Sequence, residues 1–193
     1  MAFDADPRWL GDAAFGDASS GAEPPYDLHA PAVDPPIDPE AFKAALARLA
    51  SGVAIVSCWD GSTPRGLLVS SITGLSVDPP RYLFCVRKEA SCHDALARSE
   101  RCGVAILAEH DQAEALRFSS SSLSHERFAP ESWRLTDEAA PSYRGGLSTT
   151  AGTIDQRIDA GTHTIFIVTA TSLVLAPGQP LVAHDRSFQR LAV

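Results

Sequence analysis

The residues best suited to chemistry lie in two short stretches. Ser70 and Ser71 end an apolar run and are followed by Thr73 and Gly74. Arg87 and Lys88 end a second run, just ahead of Ser91-Cys92-His93. A helix beginning at Ser91 would present free N–H groups and a partial positive charge. Hydroxyls and basic side chains beside such a helix start form a phosphate-binding arrangement. Read as structure alone, the same residues are a helix cap and a solvated strand end. The rest of the reactive inventory is sparse. His29, His93, His110, His125, His163 and His184 show no metal-ligand spacing, and Cys58, Cys85, Cys92 and Cys102 form no C-x-x-C, so no metal site is expected. Cys58 and Cys85 sit in apolar runs and read as core, whereas Cys92 beside His93 is the one thiol placed for reactivity. There is no G-x-G-x-x-G after a strand, no P-loop, no H-E-x-x-H and no G-x-S-x-G.

The elements that must hold these residues are mostly strands. Asp38 is a good N-cap, Pro39 suits a first helical position, and Phe42, Leu46, Leu49 and Ala50 continue at helical spacing until Gly52. VAIVSCW (53–59), RGLLVSS (65–71), RYLFCVR (81–87), CGVAILA (102–108), HTIFIVTATSLVLA (163–176) and PLVAH (180–184) read as strands. Pro79 and Pro80 stop any ladder after LSVD. Two short helices interrupt them: SCHDALARS with Ser91 as cap and Asp94 in the capping box, and DQAEALRF with Asp111 as cap and Glu114. Residues 119–150 read mostly as loop, with Gly145–Gly146 a turn. At least six strands with few helices predict a mainly β fold, a closed or nearly closed antiparallel barrel.

Charge separates the 193 residues into two parts. The first 40 hold nine acids and one base, the whole net charge of −8, and seven of the 14 prolines; residues 41–193 hold 15 acids and 15 bases. Residues 1–37 therefore read as an acidic, Pro-rich arm, spaced with aromatics, ahead of a neutral domain at 38–193. An acidic chain lacks the basic footprint of a nucleic-acid binder, and no apolar run approaches a membrane span. The N-terminus has no apolar h-region, which predicts no secretory signal, a cytoplasmic location and free thiols.

GLLVSSITGLSVDPPRYLFCVRKEASCHDALARSERCGVAILA (66–108) resembles the flavin reductase-like family, FMN-binding antiparallel split β-barrels that include reductase components of two-component flavin monooxygenases. The resemblance extends through FKAALARLASGVAIVS, the RF pairs at 117–118 and 127–128, AGTHTIFIV (160–168) and PLVAHDRSFQRL (180–191), so it covers about residues 38–191. It implies a homodimer with flavin near the subunit interface. It also implies hydride transfer from NADH or NADPH to FMN or FAD, and diffusion of reduced flavin to a partner monooxygenase. Carried over by position, Leu68, Val69, Ser70 and Ser71 would line the flavin ring or ribityl chain. Arg87, Lys88, Ser91 and His93 would surround its phosphate. Ala105 and Ile106 would belong to the same cofactor site, which Phe118 and Arg127 would border. His163 would lie near the isoalloxazine and nicotinamide as the catalytic candidate; its structural reading is a satisfied strand histidine. The family usually has Thr where Leu68 stands, Asn at Ala105, Asp at Thr162 and an aromatic at Ala183. Losing the hydrogen bonds of Leu68 and Ala105 would cost about 0.5–1.5 kcal/mol each, weakening flavin binding about ten- to a hundredfold. That fits flavin as a diffusible substrate, and equally a pathway-specific biosynthetic enzyme that has left flavin reduction.

Overall fold

The computed structural model describes residues 37–137 and 139–191. The expected acidic arm at 1–37 lies outside them, apart from Ile37. The chain divides into two units between Leu46 and Ala47. In the first, α1 (Pro39–Leu46) starts as expected: the Ala41 N–H donates to Asp38 Oδ2 at 3.1 Å. The helix stops at Leu46, well short of Gly52. In the second unit Ser51–Gly52 (β1) is drawn instead into a ladder with Val182–His184 (β11), pairing Ser51 with Ala183. Strand hydrogen bonds there outweigh the weak helical propensity of the segment.

The second unit is mainly β and antiparallel. It contains β2 (Ala54–Asp60), β3 (Thr63–Val69), β4 (Thr73–Ser76), β5 (Arg81–Arg87), α2 (His93–Arg98), β6 (Arg101–Ile106), α3 (Gln112–Ser119), β7 (Trp133–Arg134), β8 (Ser142–Tyr143), β9 (Ser148–Ala160), β10 (His163–Leu175) and β12 (Ser187–Gln189), besides β1 and β11. The principal sheet runs β3-β2-β6-β9-β10-β5-β4. β2 is buried on both faces from Ala54 to Cys58, which fits its nearly continuous apolar run; the one polar residue there, Ser57, donates its hydroxyl to the Pro141 carbonyl at 2.6 Å. Ala54, Val56 and Cys58 join one core with Phe84, Val86, Leu96, Val104, Ile154, Phe166 and Val168. Val53 and Ile55 join a second core with Leu107, Ala115, Phe118, Phe128, Trp133 and Leu181. Phe84 and Phe166 are cross-strand partners and stack with centroids 5.5 Å apart.

The stretch 119–150 is mostly loop, as expected, but it holds short elements that the reading did not place. Residues Ser121–Glu126 form a 3-10 helix, β7 and β8 form a small ladder, and β9 begins at Ser148. β9 is as long as β10 but escapes a hydrophobicity reading because STTAGTIDQRIDA buries small and polar residues on alternate positions and then emerges into solvent. Its register with β10 slips twice. β9 carries an extra residue, Asp155, between the pairs Ile167–Gln156 and Val168–Ile154, and β10 carries Thr171 between Ala170 and Ser172. The first slip sets Ile154, not Asp155, against Val168 in the core. Asp155 faces Arg81 at 3.6 Å instead and accepts the Thr169 hydroxyl. The Thr171 hydroxyl donates to the Ala151 carbonyl at 3.0 Å.

The start of α2 differs from the capping expectation. Cys92, not Ser91, occupies the N-cap, and no side chain caps the helix. The Asp94 carboxylate is drawn to His93 Nδ1 at 3.0 Å. Asp111 does sit at the N-cap of α3, but its carboxylate accepts the Ala108 N–H at 2.8 Å and the Tyr143 hydroxyl at 2.9 Å. No helix among the described residues is long and apolar enough to cross a membrane, and all four cysteines are free.

Candidate active site

The β5–β10 ladder puts His163 directly opposite Arg87, and the Lys88 N–H donates to the Thr162 carbonyl at 3.0 Å. These two ends border a cleft of ≈ 300 Å³ whose walls include Leu68, Val69, Ser70, Ser71, Ala90 and Cys85. Six residues expected at the site, Leu68, Val69, Ser70, Ser71, Arg87 and His163, thus line one cavity. The floor is apolar and the rim carries hydroxyls, an imidazole and a guanidinium. Arg87 is exposed and, among the described residues, its one ion pair is with the exposed Glu89 at 3.5 Å, so its charge remains available to an anion. His163 Nδ1 lies 2.9 Å from the Thr162 hydroxyl, which fixes the ring, and Nε2 has no partner among the described residues. The Ser71 hydroxyl accepts the Cys85 N–H at 3.1 Å and donates to the Cys85 carbonyl at 3.0 Å. It therefore ties the end of β3 to β5 while standing in the cleft wall.

Other expected residues go elsewhere. Lys88 Nζ sits 2.7 Å from Asp159 in a solvated pair. His93 is buried, with Nε2 2.9 Å from the Thr164 hydroxyl and its ring edge-on to Phe166. That is the environment of a satisfied core histidine. Ala105 and Ile106 are held within β6, opposite Ile55 and Ala54, and Ala105 is buried. Phe118 is buried among Phe128 and Trp133, with centroids 5.1 and 5.2 Å away.

Ser91 and Arg127 line a second, larger cavity of ≈ 520 Å³ with Arg65, Ser121, Ser124 and His125. Arg127 lies along its wall as a clamp. Its Nε donates to the Arg117 carbonyl at 2.7 Å, one terminal nitrogen to the Gly66 carbonyl at 3.1 Å and the other to the Ser120 carbonyl at 2.8 Å. The guanidinium also covers the Phe118 ring at 5.3 Å. Burial lowers its pKa. Cys92 borders this cavity too, yet burial pushes its thiol up to about 12, which removes the thiolate that reactivity requires.

The sequence reading missed a buried acidic pair that positions this region. Glu114 Oε1 accepts the Trp133 Nε1–H at 2.7 Å and its other oxygen meets Arg117 at 2.6 Å. With Asp111 holding Tyr143, two carboxylates one helical turn apart fasten α3 to the β7–β8 segment. Burial, then the Asp111 hydrogen bond, raises the Tyr143 pKa. The D-x-x-E signal was present, but it is identical to that of a capping box; only the fold shows that the acids face aromatic donors.

This mainly β scaffold, with its apolar cleft rimmed by hydroxyls and a cation, belongs to the family described as flavin reductase like domain, which matches residues 46–192. Among its relatives is the NADH:FMN oxidoreductase of Rhodococcus qingshengii, 32% identical over 155 residues, 77% of this chain and 80% of that protein. The reductase subunit HsaB of a flavin-dependent monooxygenase from Rhodococcus jostii is 31% identical over 137 residues, covering 71% and 69%. The actinorhodin polyketide dimerase of Streptomyces coelicolor is 30% identical over 152 residues, covering 78% and 85%. Among solved structures, the Streptomyces globisporus NADH:FAD oxidoreductase SgcE6, in complex with NAD and FAD fragments, superposes with a TM-score of 0.73 at 27% identity, covering 82% of this chain and 98% of that one.

Proposed function

We propose that this chain is an NAD(P)H:flavin oxidoreductase that acts as a homodimer and supplies reduced FMN or FAD to a partner monooxygenase. The observation that carries the reading is the alignment of His163 with Arg87 across one ladder, at the mouth of the cleft that Leu68, Val69, Ser70 and Ser71 also line. The donor set fits a flavin. Aliphatic walls suit a planar ring, hydroxyls suit its polar edge, and an exposed guanidinium suits a phosphate. A bound flavin supplies the hydride-accepting centre, which needs alignment more than acid–base groups. Leu68 and Val69 would exclude water from the ring. Arg87 would neutralise phosphate charge. Ser70 would orient the ring or ribityl chain, and His163, steadied by Thr162, would orient nicotinamide through Nε2. The cleft of ≈ 300 Å³ is at the small end for such ligands, which supports a second copy completing it. The Ser71–Cys85 bridge, which holds the segment just after β3 against β5, supports a split-barrel closure of the sheet. The test is NADH or NADPH oxidation with FMN or FAD added. Turnover with one pair is expected; no turnover with any of the four pairs refutes the proposal.

A second reading, a pathway-specific biosynthetic enzyme with weak or no flavin reduction, is favoured by one specific observation. A relative of comparable identity is named a polyketide dimerase, and Leu68, Ala105, Thr162 and Ala183 depart from the usual family residues. Flavin titration of the purified protein separates the two, since the second reading predicts no saturable flavin effect on nicotinamide oxidation.

A further inference from the structure

Away from the flavin cleft, the β7–β8 ladder closes on a cavity of ≈ 260 Å³ lined by Arg134, Ser142, Tyr143, Arg144, Gly145, Gly146, Thr149, Val174 and Ala176. Its charge is one-sided. Among the described residues no Asp or Glu lines it, and neither Arg134 nor Arg144 has an ion pair. Register puts the two cations together. Arg134 pairs with Ser142, and the Arg144 N–H donates to the Ser132 carbonyl at 2.9 Å, so Arg134 and Arg144 are diagonal neighbours on one face, about 7 Å apart at Cβ. Trp133 and Tyr143 take the opposite face and are tied down by Glu114 and Asp111. The backbone adds donors. Gly146 has φ 90°, a side chain at Gly145 would meet the Tyr143 ring at 2.7 Å, and neither glycine amide donates to another described residue. The Thr149 hydroxyl fixes this turn through the Tyr143 and Gly145 carbonyls, both at 3.2 Å. Two like charges held side by side repel unless an anion sits between them. Bare amides of successive residues are a recurrent anion cradle.

We infer that Arg134, Arg144 and the Gly145–Gly146 turn form a second binding site, one for a doubly charged tetrahedral oxyanion, inorganic phosphate or the phosphoryl group of a small metabolite. It is separate from the flavin cleft. His163 and Val174 lie at opposite ends of β10, eleven residues or about 35 Å apart along the strand. Val174 and Ala176 give the cavity an apolar wall, so a phosphate carrying an apolar group should bind more tightly than inorganic phosphate.

The test is equilibrium dialysis of the full chain against labelled inorganic phosphate and phenyl phosphate. The proteins compared are the parent, the double variant R134Q/R144Q, and R87Q, which removes the cation of the flavin cleft. A saturable site that survives in R87Q is expected in the parent, and R134Q/R144Q should weaken that site at least about tenfold. Tighter phenyl phosphate would assign a phosphorylated metabolite, and equal affinities inorganic phosphate. Binding unchanged in R134Q/R144Q, or lost only in R87Q, overturns the inference. If the double variant fails to fold, amide resonances of the parent decide. Phosphate-dependent shifts at Gly145 and Gly146 support the site, and shifts confined to 87–93 refute it.

Discussion

Arg127 offers a sharp test of how this fold spends a cation. A residue that binds flavin phosphate needs charge, and lysine can supply it. A residue that clamps three carbonyls needs the planar fork, and lysine cannot. The structure shows the fork in use, toward the Arg117, Gly66 and Ser120 carbonyls, with the guanidinium over Phe118. Arg127→Lys keeps the charge and one bond. Two lost bonds, at about 1 kcal/mol each for a half-exposed group, plus the ring contact, cost about 2–3 kcal/mol. With a urea slope of about 2 kcal/mol per molar, the unfolding midpoint should fall by about 1–1.5 M. Arg127→Ala should cost about 1 kcal/mol more and free the 3-10 segment from β3. The assays are urea unfolding and the flavin KM, measured on both variants. If Arg127→Lys is as stable as the parent while its flavin KM rises, Arg127 is an anion ligand and the clamp is refuted.

Stability should also fall on the alkaline side. Burial holds the Cys92 and Cys102 thiols at about 12 and raises Tyr143, whereas in the unfolded chain thiols titrate near about 8.5 and phenols near about 10. Groups whose folded pKa is raised stabilise fully below the unfolded value, so urea midpoints should hold to about pH 8 and drop beyond it. Tyr143→Phe leaves the buried Asp111 without its phenolic donor and should cost about 1–3 kcal/mol at neutral pH, read by the same unfolding curve. Ser71→Ala removes both bonds to Cys85 and should cost about 1–2 kcal/mol, with faster amide exchange at Cys85 as its local signature. Gly103→Ala would set a methyl 2.5 Å from the Pro141 carbonyl and 2.6 Å from Ser57 Oγ, so a loss of about 1–3 kcal/mol is expected in thermal melts.

Much of this fold was legible because its signals were local. The Asp38 cap and the strand over 81–87 follow from capping chemistry and a branched apolar run; the two short helices fall where the sequence placed them, although the side-chain caps expected for them are not made. β9 was not legible, because half its length is solvated and its buried positions are Ser148, Thr150 and Gly152 with a single branched residue, Ile154. The family resemblance put Ser70, Ser71, Arg87 and His163 at one site; that His163 stands opposite Arg87 follows from a register no local pattern encodes. The same resemblance put His93 and Phe118 beside the flavin, which says nothing of the direction in which each side chain points. Their side chains turn into the core, where Thr164 and Trp133 receive them.

The two slips in the β9–β10 hairpin work like frameshifts of opposite sign. Three pairs, Val168–Ile154 to Ala170–Gly152, run one residue out of step, and the frame returns at Ser172–Ala151. Asp155 and Thr171 are the unpaired residues, so removing either one closes its own bulge and leaves every pair beyond it as it stands. Removing Asp155 and Thr171 together would restore an unbroken ladder with both ends of the hairpin in their present phase. Removing a paired residue instead would put every pair beyond it out of frame and turn one face of that stretch inside out, so the hairpin can lose single residues only at its two bulges.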